Sequence, residues 1–276
     1  MVAGVLRRYG LPVLCLALLA AVTMFSSGAE ARSGAAPGCA KPAAPGSSTQ
    51  TITVGSARRT YLLVIPRALT AGSPAPVIMG LHGGAGSAEN AYSYMGLAGD
   101  RPALYVFPQA PYWPQAGGVA WNVDPNGVDF PYFDTLIADL SGKYCVDPRR
   151  IFATGKSNGA FMVNALACYR PNLVRAIASV AGGGPETSRC PGAVPAPVMI
   201  IHGTADRTVP IRSAQWTREY WLWRDKYAGA PARTTTPVPC VTYPGTQAPV
   251  LWCQHQDGHV WPSWAGPAIV NFFLSV

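Results

Sequence analysis

Short, largely apolar runs alternate along most of this chain with longer segments that have helical periodicity. The apolar runs are typical of strands buried within a sheet; they are residues 77–81, 103–107, 150–154, 176–180 and 198–201. The predicted helices are residues 133–140, 160–167, 213–227 and 267–274. Because the strands are separated by helices, the pattern predicts an α/β fold with a mostly parallel central sheet and helices on both faces.

The first part of the chain follows a different pattern. Arg7 and Arg8 precede an apolar stretch, residues 11–25, which is short for a membrane span, and a small-x-small site ends at Ala31. Residues 1–31 are therefore predicted to be a secretory signal peptide. Residues 32–48, rich in Ala, Pro, Gly and Ser, are predicted to be a flexible leader.

The remainder, residues 49–276, is predicted to be a single domain. It begins with an antiparallel pair, residues 51–54 and 60–65, joined by a turn at Gly55 and Ser56. No later stretch is long and apolar enough for a membrane span, so we expect an exported monomer that has no membrane contact after signal cleavage.

Six cysteines follow the signal peptide, and an even number in an exported chain indicates three disulfides. Cys240 and Cys253 flank a predicted hairpin and form the first proposed pair. Cys168 ends the predicted helix 160–167, and Cys190 lies in the loop after the next strand, so these two form the second. Cys39 and Cys145 are paired by elimination. No CxxC motif or close Cys/His spacing indicates a metal site, and we expect no cofactor.

The chain has a formal net charge of +8, but its basic residues are scattered. The longest basic runs are pairs, such as Arg149 and Arg150. This distribution argues against a nucleic-acid partner, although an acidic polysaccharide or a cell surface stays open as a partner.

The chemistry centres on residues 155–159, which spell G-x-S-x-G between a predicted strand and a predicted helix. In this context a serine is held in a tight turn that exposes its hydroxyl, so Ser157 is the candidate nucleophile. The absence of a glycine at position 151 excludes a phosphate-binding P-loop.

A serine nucleophile needs a base, and the base needs an acid that orients it. Asp206 follows the apolar run 198–201 directly and is preferred as the acid over Asp129 and Asp257. His259 lies in a loop after Gly258 and is preferred as the base, with His255 as the alternative. The order Ser, Asp, His is that of α/β-hydrolases.

Backbone N–H groups must stabilise the negative charge that develops on a substrate carbonyl oxygen. The N–H of Asn158 is the first candidate, and a glycine-rich turn after residue 81 offers a second, at Gly84 or Ala85. The long loop 108–130 is a candidate substrate wall. Three tryptophans are candidates for packing against a substrate ring, with ordinary structural packing as an equal alternative: Trp113, Trp121 and Trp261.

Six motifs occur in one order along the chain. They are 81–84 (LHGG), 121–124 (WNVD), 144–147 (YCVD), 153–159 (ATGKSNG), 202–206 (HGTAD) and 258–262 (GHVWP). Together they resemble secreted α/β-hydrolase esterases of carbohydrate esterase family 1, over roughly residues 39–276. The family includes feruloyl esterases, acetyl xylan esterases and proteins similar to poly(3-hydroxybutyrate) depolymerases. One position departs from its pattern, since Phe130 stands where relatives often carry a second aspartate after Asp129.

The resemblance implies a secreted serine carboxylesterase with Ser157, Asp206 and His259 as its triad. The ATGKSNG form is most similar to feruloyl esterases, which release hydroxycinnamates from plant cell-wall polysaccharide. A polyhydroxyalkanoate depolymerase and an acetyl xylan esterase stay open as alternatives, as does a secreted binding protein that kept the fold without the activity.

Overall fold

The computed structural model describes residues 37–40, 43–185, 190, 194–237 and 239–276. The predicted signal peptide and most of the predicted leader lie outside these residues. The described residues belong to one compact unit. None of the helices in the described ranges has the length and apolarity needed to cross a bilayer.

The described part of the chain contains twelve strands and five α-helices. The strands are β1 (Gly46–Val54), β2 (Ala57–Ile65), β3 (Ala75–Leu81), β4 (Leu104–Pro108), β5 (Tyr112–Trp113), β6 (Gly118–Val119), β7 (Val146–Lys156), β8 (Ala176–Val180), β9 (Val198–Gly203), β10 (Arg233–Thr234), β11 (Cys240–Thr242) and β12 (Val250–His255). The helices are α1 (Ala88–Met95), α2 (Asp129–Lys143), α3 (Asn158–Tyr169), α4 (Ile211–Arg224) and α5 (Ala265–Ser275).

Ten of these strands form one sheet in the order β1-β2-β4-β3-β7-β8-β9-β12-β11-β10. The six central strands, from β4 to β12, are parallel to their neighbours, whereas the pairings at both edges are antiparallel. The remaining two strands, β5 and β6, form a small separate hairpin. Parallel strands end at the same edge of a sheet, so the loops after β3, β7, β9 and β12 come together there.

Helices cover both faces of the sheet. Along β3 the side chains alternate between two cores: Val77 and Met79 face one, and Ile78 faces the other. The first core contains the buried sides of α2, α3 and α4, and the second contains those of α1 and α5. The predicted fold class, a mostly parallel sheet with helices on both faces, is confirmed.

Two features of the fold differ from the sequence prediction. Strand β1 begins at Gly46, inside the segment predicted to be a flexible leader, because its backbone pairs with β2 from Gly46 opposite Ile65 onward. Helix α1 was not predicted. It begins after Ser87, whose side chain accepts the N–H of Asn90, and it ends at Gly96 in the left-handed region.

The three disulfides join Cys39 to Cys145, Cys168 to Cys190 and Cys240 to Cys253. These are the pairs proposed from the sequence. Cys240 lies directly opposite Cys253 on β11 and β12. The bridge from Cys39 attaches the chain before β1 to the residue that precedes β7, so it acts at the end of β7 that lies away from Ser157.

Candidate active site

Ser157 occupies the sharp turn between β7 and α3. Its backbone has φ 54° and ψ −119°, a combination that residues other than glycine rarely adopt. The N–H of Ser157 donates to the carbonyl of Val180 at 3.0 Å, and its own carbonyl accepts the N–H of Ala160 at 2.9 Å. The turn is thus held by the neighbouring strand on one side and by the first turn of α3 on the other.

The two glycines of the motif are required by close backbone packing. A Cβ atom on Gly159 would overlap the carbonyl oxygens of Leu81 and His82, at the end of β3. A Cβ atom on Gly155 would overlap the carbonyl of Gly159. Any larger residue at either position would push α3 away from the sheet, so these glycines set the distance between Ser157 and the loop after β3.

Asp206 and His259 are brought together at the same edge of the sheet. The Nδ1 atom of His259 lies 2.8 Å from Oδ2 of Asp206. The other oxygen, Oδ1, accepts the N–H groups of Thr208 and Val209, each at 2.9 Å. Burial opposes ionisation of Asp206, but the hydrogen bonds from His259, Val209 and Thr208 outweigh it and hold the pKa of this carboxyl below its usual value. An ionised Asp206 accepts a proton from Nδ1, which leaves Nε2 of a neutral His259 as a proton acceptor.

Backbone contacts between two loops fix this pair. The N–H of Thr204 donates to the carbonyl of His255 at 2.8 Å, and the N–H of Ala205 donates to that of Asp257 at 3.2 Å. These bonds extend the pairing of β9 with β12 beyond the ends of the strands, so the loop carrying Asp206 follows the loop carrying His259. The alternative base, His255, lies at the end of β12 with Nδ1 3.4 Å from the carboxylate of Asp257.

The glycine-rich turn after β3 lies beside Ser157. A Cβ atom on Gly83 would be 3.4 Å from the Cβ of Ser157, and one on Gly84 would be 4.0 Å from the Cβ of Asn158. The N–H of Ala85, however, donates to the carbonyl of Val119 at 2.7 Å. This bond uses the single proton of that amide, so Ala85 is corrected as an oxyanion candidate and Gly84 remains. As the first residue of α3, Asn158 has an N–H without an acceptor inside the helix.

The side chain of Asn158 binds the backbone of Trp121 on both sides. Its Oδ1 accepts the Trp121 N–H at 2.6 Å, and its Nδ2 donates to the Trp121 carbonyl at 3.2 Å. One residue further on, the N–H of Asn122 donates to Asp129 at 2.7 Å, and Asp129 forms a buried ion pair with Arg59 at 2.6 Å. The loop 108–130 is therefore attached to the nucleophile turn. Sequence reasoning missed this role of the Asn158 side chain.

The remaining two histidines make structural hydrogen bonds next to the site. His82 is fully buried, with Nδ1 donating to the carbonyl of Gly83 at 2.7 Å and Nε2 accepting the N–H of Ala110 at 3.1 Å. His202 is also fully buried, and its Nε2 donates to the carbonyl of Val209 at 2.9 Å. Burial lowers the pKa of both imidazoles, so both rings are neutral near pH 7.

A cleft of about 1210 Å³ lies between α3, α4 and the loop 108–130. Ser157 is not among its lining residues; the nearest along the chain is Phe161, whose N–H donates to the Ser157 carbonyl at 3.1 Å. Of the three candidate tryptophans, Trp113 lines the cleft. Trp121 also borders it but is only 2% exposed, so it is a fixed part of the wall. Trp261 is not among the lining residues, and its indole N–H donates to the Met95 carbonyl.

Known proteins similar in sequence include feruloyl esterases of fungi. Feruloyl esterase D of Neurospora crassa is 29% identical over 61% of this chain and 57% of that protein. A protein described as probable feruloyl esterase C of Aspergillus niger is 33% identical over 55% of this chain and 56% of that protein. The chain thus spans a little over half the length of these two relatives. No protein-family model matches the chain.

Similar solved structures are also esterases. The acetyl xylan esterase from Aspergillus awamori has a TM-score of 0.64 at 19% identity, covering 83% of this chain and 100% of that one. A carbohydrate esterase family 1 ferulic acid esterase from Anaeromyces mucronatus has a TM-score of 0.55 at 16% identity, covering 84% and 90%. At such identities the likeness shows the fold, which is the α/β-hydrolase fold expected from the sequence. The chain is therefore a relative of the feruloyl esterases with an α/β-hydrolase fold of the carbohydrate esterase family 1 type.

Proposed function

We propose that this protein is a secreted serine carboxylesterase that acts through an acyl-enzyme. The Ser157 hydroxyl attacks the ester carbonyl while Nε2 of His259 takes its proton, and Asp206 stabilises the resulting imidazolium. His259 then gives the proton to the departing alcohol. In the second half a water loses its proton to His259 and attacks the acyl-enzyme, which releases the acid and restores Ser157.

Two backbone donors complete this proposal. The N–H groups of Asn158 and Gly84 face the position where the carbonyl oxygen becomes negatively charged, and each such donor contributes about 10²–10³ to kcat in serine hydrolases. The dipole of α3 adds to this effect, because Asn158 is at the amino end of that helix.

The observation that carries the proposal is the strained backbone of Ser157, φ 54°, beside a glycine turn and at the same sheet edge as the Asp206–His259 hydrogen bond. Strain at a residue other than glycine persists only where the surrounding structure enforces it. Here its result is a serine hydroxyl displaced from the sheet, which is the arrangement a nucleophile needs.

For the substrate, we propose a feruloyl ester on plant cell-wall polysaccharide. Relatives named feruloyl esterases support this choice, and so does the cleft, which is lined by aromatic side chains from three segments of the chain. An aromatic acyl group would bury its ring against such walls, whereas an acetyl group would leave most of them without contact. The predicted signal peptide and the three disulfides support secretion.

A fluorophosphonate probe tests the enzymatic part of the proposal. We expect the wild-type protein to be labelled and Ser157→Ala to be unlabelled. Ser93→Ala is the matched control, since it removes an exposed serine hydroxyl on α1, and it should be labelled like the wild type. A folded wild-type protein that takes no label would favour the non-catalytic binding protein.

Turnover of three esters tests the substrate. We expect the highest kcat/KM with methyl ferulate, compared with acetylated xylan and a short hydroxybutyrate ester. A higher value for acetylated xylan or for the hydroxybutyrate ester would instead assign the protein to deacetylation or to polyester hydrolysis.

A further inference from the structure

Helix α4 carries two tryptophans that are exposed to solvent. Trp216 and Trp223 each expose 67% of their surface, and both line the cleft beside α3. Large aromatic side chains are usually buried at least in part, so two at this exposure on one helix require an explanation. Nothing within the described residues covers them.

The two rings lie on one face of the helix. Residues seven positions apart differ by about 20° around the helix axis and by about 10 Å along it, since each residue adds 100° and 1.5 Å. Tyr220, between them on the same face, is buried and packs its ring 6.0 Å from that of Trp223. The two exposed rings therefore form a platform along the cleft, with a spacing close to the length of a disaccharide.

Polar and charged groups surround this platform. The guanidinium of Arg212 lies 5.8 Å from the ring centre of Trp216, and that of Arg224 lies 5.4 Å from the ring centre of Trp223. Glu219 and Asp124 line the same cleft. A ligand that covers the rings must also offer hydrogen-bond donors and acceptors, because burying these charges against an apolar surface is costly.

We propose that Trp216 and Trp223 bind the sugar chain of a polysaccharide, with one pyranose ring face stacked on each indole. A sugar chain offers both apolar ring faces and hydroxyl groups, whereas a polyester offers no hydrogen-bond donor along its chain. The choice of ligand rests on the proposed function, in which the scissile ester is attached to a polysaccharide.

The position and size of the cleft support this assignment. It extends from Trp216 and Trp223 to Phe161, one helical turn after Ser157, and to Trp121, which is bound by the side chain of Asn158. Its volume of about 1210 Å³ exceeds the range of about 300–1,000 Å³ usual for small-molecule sites. An acyl group near Ser157 and a sugar chain along α4 could thus occupy it together.

The test measures binding in the Ser157→Ala background, so that its result does not depend on hydrolysis. Binding to insoluble arabinoxylan is followed by depletion from solution, and stepwise binding to xylo-oligosaccharides by tryptophan fluorescence. We expect Trp216→Ala with Trp223→Ala to weaken binding at least about tenfold, since a single stacking contact is worth about 1.4 kcal/mol. Trp216→Phe with Trp223→Phe keeps an aromatic face and should bind more tightly than the alanine pair.

Tyr92→Ala is the matched control, because Tyr92 is an exposed aromatic residue on α1, which packs on the opposite face of the sheet. It should bind arabinoxylan like the parent protein. Unchanged binding after the alanine pair, in protein that keeps its thermal midpoint, would overturn the inference. So would a loss confined to adsorption on poly(3-hydroxybutyrate) particles.

Turnover of methyl ferulate by the wild-type chain is measured separately. A protein that binds xylan through the two tryptophans but hydrolyses no ferulate would retain the platform and contradict the proposed function. A protein that hydrolyses ferulate but binds xylan equally well without the tryptophans would do the reverse.

Discussion

At the scale of single residues, Asp206 has the most demanding role. Its Oδ2 accepts the proton of His259 Nδ1, and it must stay ionised to do so. Replacing it by asparagine keeps the size but puts an amide where a carboxylate oxygen is needed, so the imidazole adopts the wrong tautomer. We expect Asp206→Asn to lower kcat about 10⁴-fold on a soluble ester, measured by initial rates.

Asp257→Asn is the control for this change. Asp257 was the competing acid, but its side chain is 69% exposed and faces His255 instead of His259. Its replacement should leave kcat within about twofold, as is usual for a surface substitution. Equal losses in the two variants would show that Asp206 is not the orienting acid.

Asn158 connects the nucleophile turn to the substrate wall. Asn158→Ala keeps the backbone N–H but removes both hydrogen bonds to Trp121, leaving a buried donor and acceptor unpaired. We expect kcat/KM to fall about 10- to 100-fold through misplacement of the loop 108–130. Fluorophosphonate labelling of Ser157 should persist. Asn126→Ala, at an exposed position of the same loop, should have neither effect.

The residues of the proposed triad could be selected from the sequence, because their order and their positions after apolar strands are visible there. The choice between Gly84 and Ala85 could not be made, since it depends on a hydrogen bond to Val119, in a different loop. The exposed face of α4 was also missed. The spacing of Trp216 and Trp223 is visible in the chain, but whether such a face is buried depends on what packs against it.

At the scale of elements, the contact of α3 with β3 sets the position of Ser157. Gly159→Ala would press a methyl group against the carbonyls of Leu81 and His82, so we expect a loss of about 3 kcal/mol in the free energy of unfolding. Urea titration at equilibrium measures this. Gly142→Ala is the same substitution in α2 with open space around it, and it should raise the free energy by about 0.5–1 kcal/mol. Similar changes at both sites would contradict the packing argument.

The elements of the central sheet were predictable because strands buried on both faces are apolar throughout. Strand β1 was predicted too short, because its start, Gly46 to Thr49, is exposed and polar and is held by backbone pairing with β2 alone. Helix α1 was missed because it is eight residues long and only three of its side chains are buried. In both cases the signal is a backbone contact or a cap, which a hydrophobic pattern does not record.

At the scale of the whole molecule, the two ends of the sheet have different tasks. Strand β7 runs from Val146 to Lys156, with Cys145 before it and Ser157 after it. Eleven residues of strand extend over about 36 Å. The carboxyl ends of the parallel strands carry the candidate chemistry, while the Cys39–Cys145 bridge ties the chain together at the opposite end.

This separation predicts that stability and activity can be changed independently. The bridge encloses 106 residues, and removing a loop constraint of that size costs about 4.7 kcal/mol, mainly by enlarging the unfolded ensemble. We expect Cys39→Ala with Cys145→Ala to lower the free energy of unfolding by about that amount in urea titration, with kcat/KM unchanged at temperatures well below the melting point. Ser157→Ala should show the converse, an unchanged free energy and no turnover. If removing the bridge instead lowered kcat/KM in folded protein, the two ends of β7 would be coupled and the separation would be wrong.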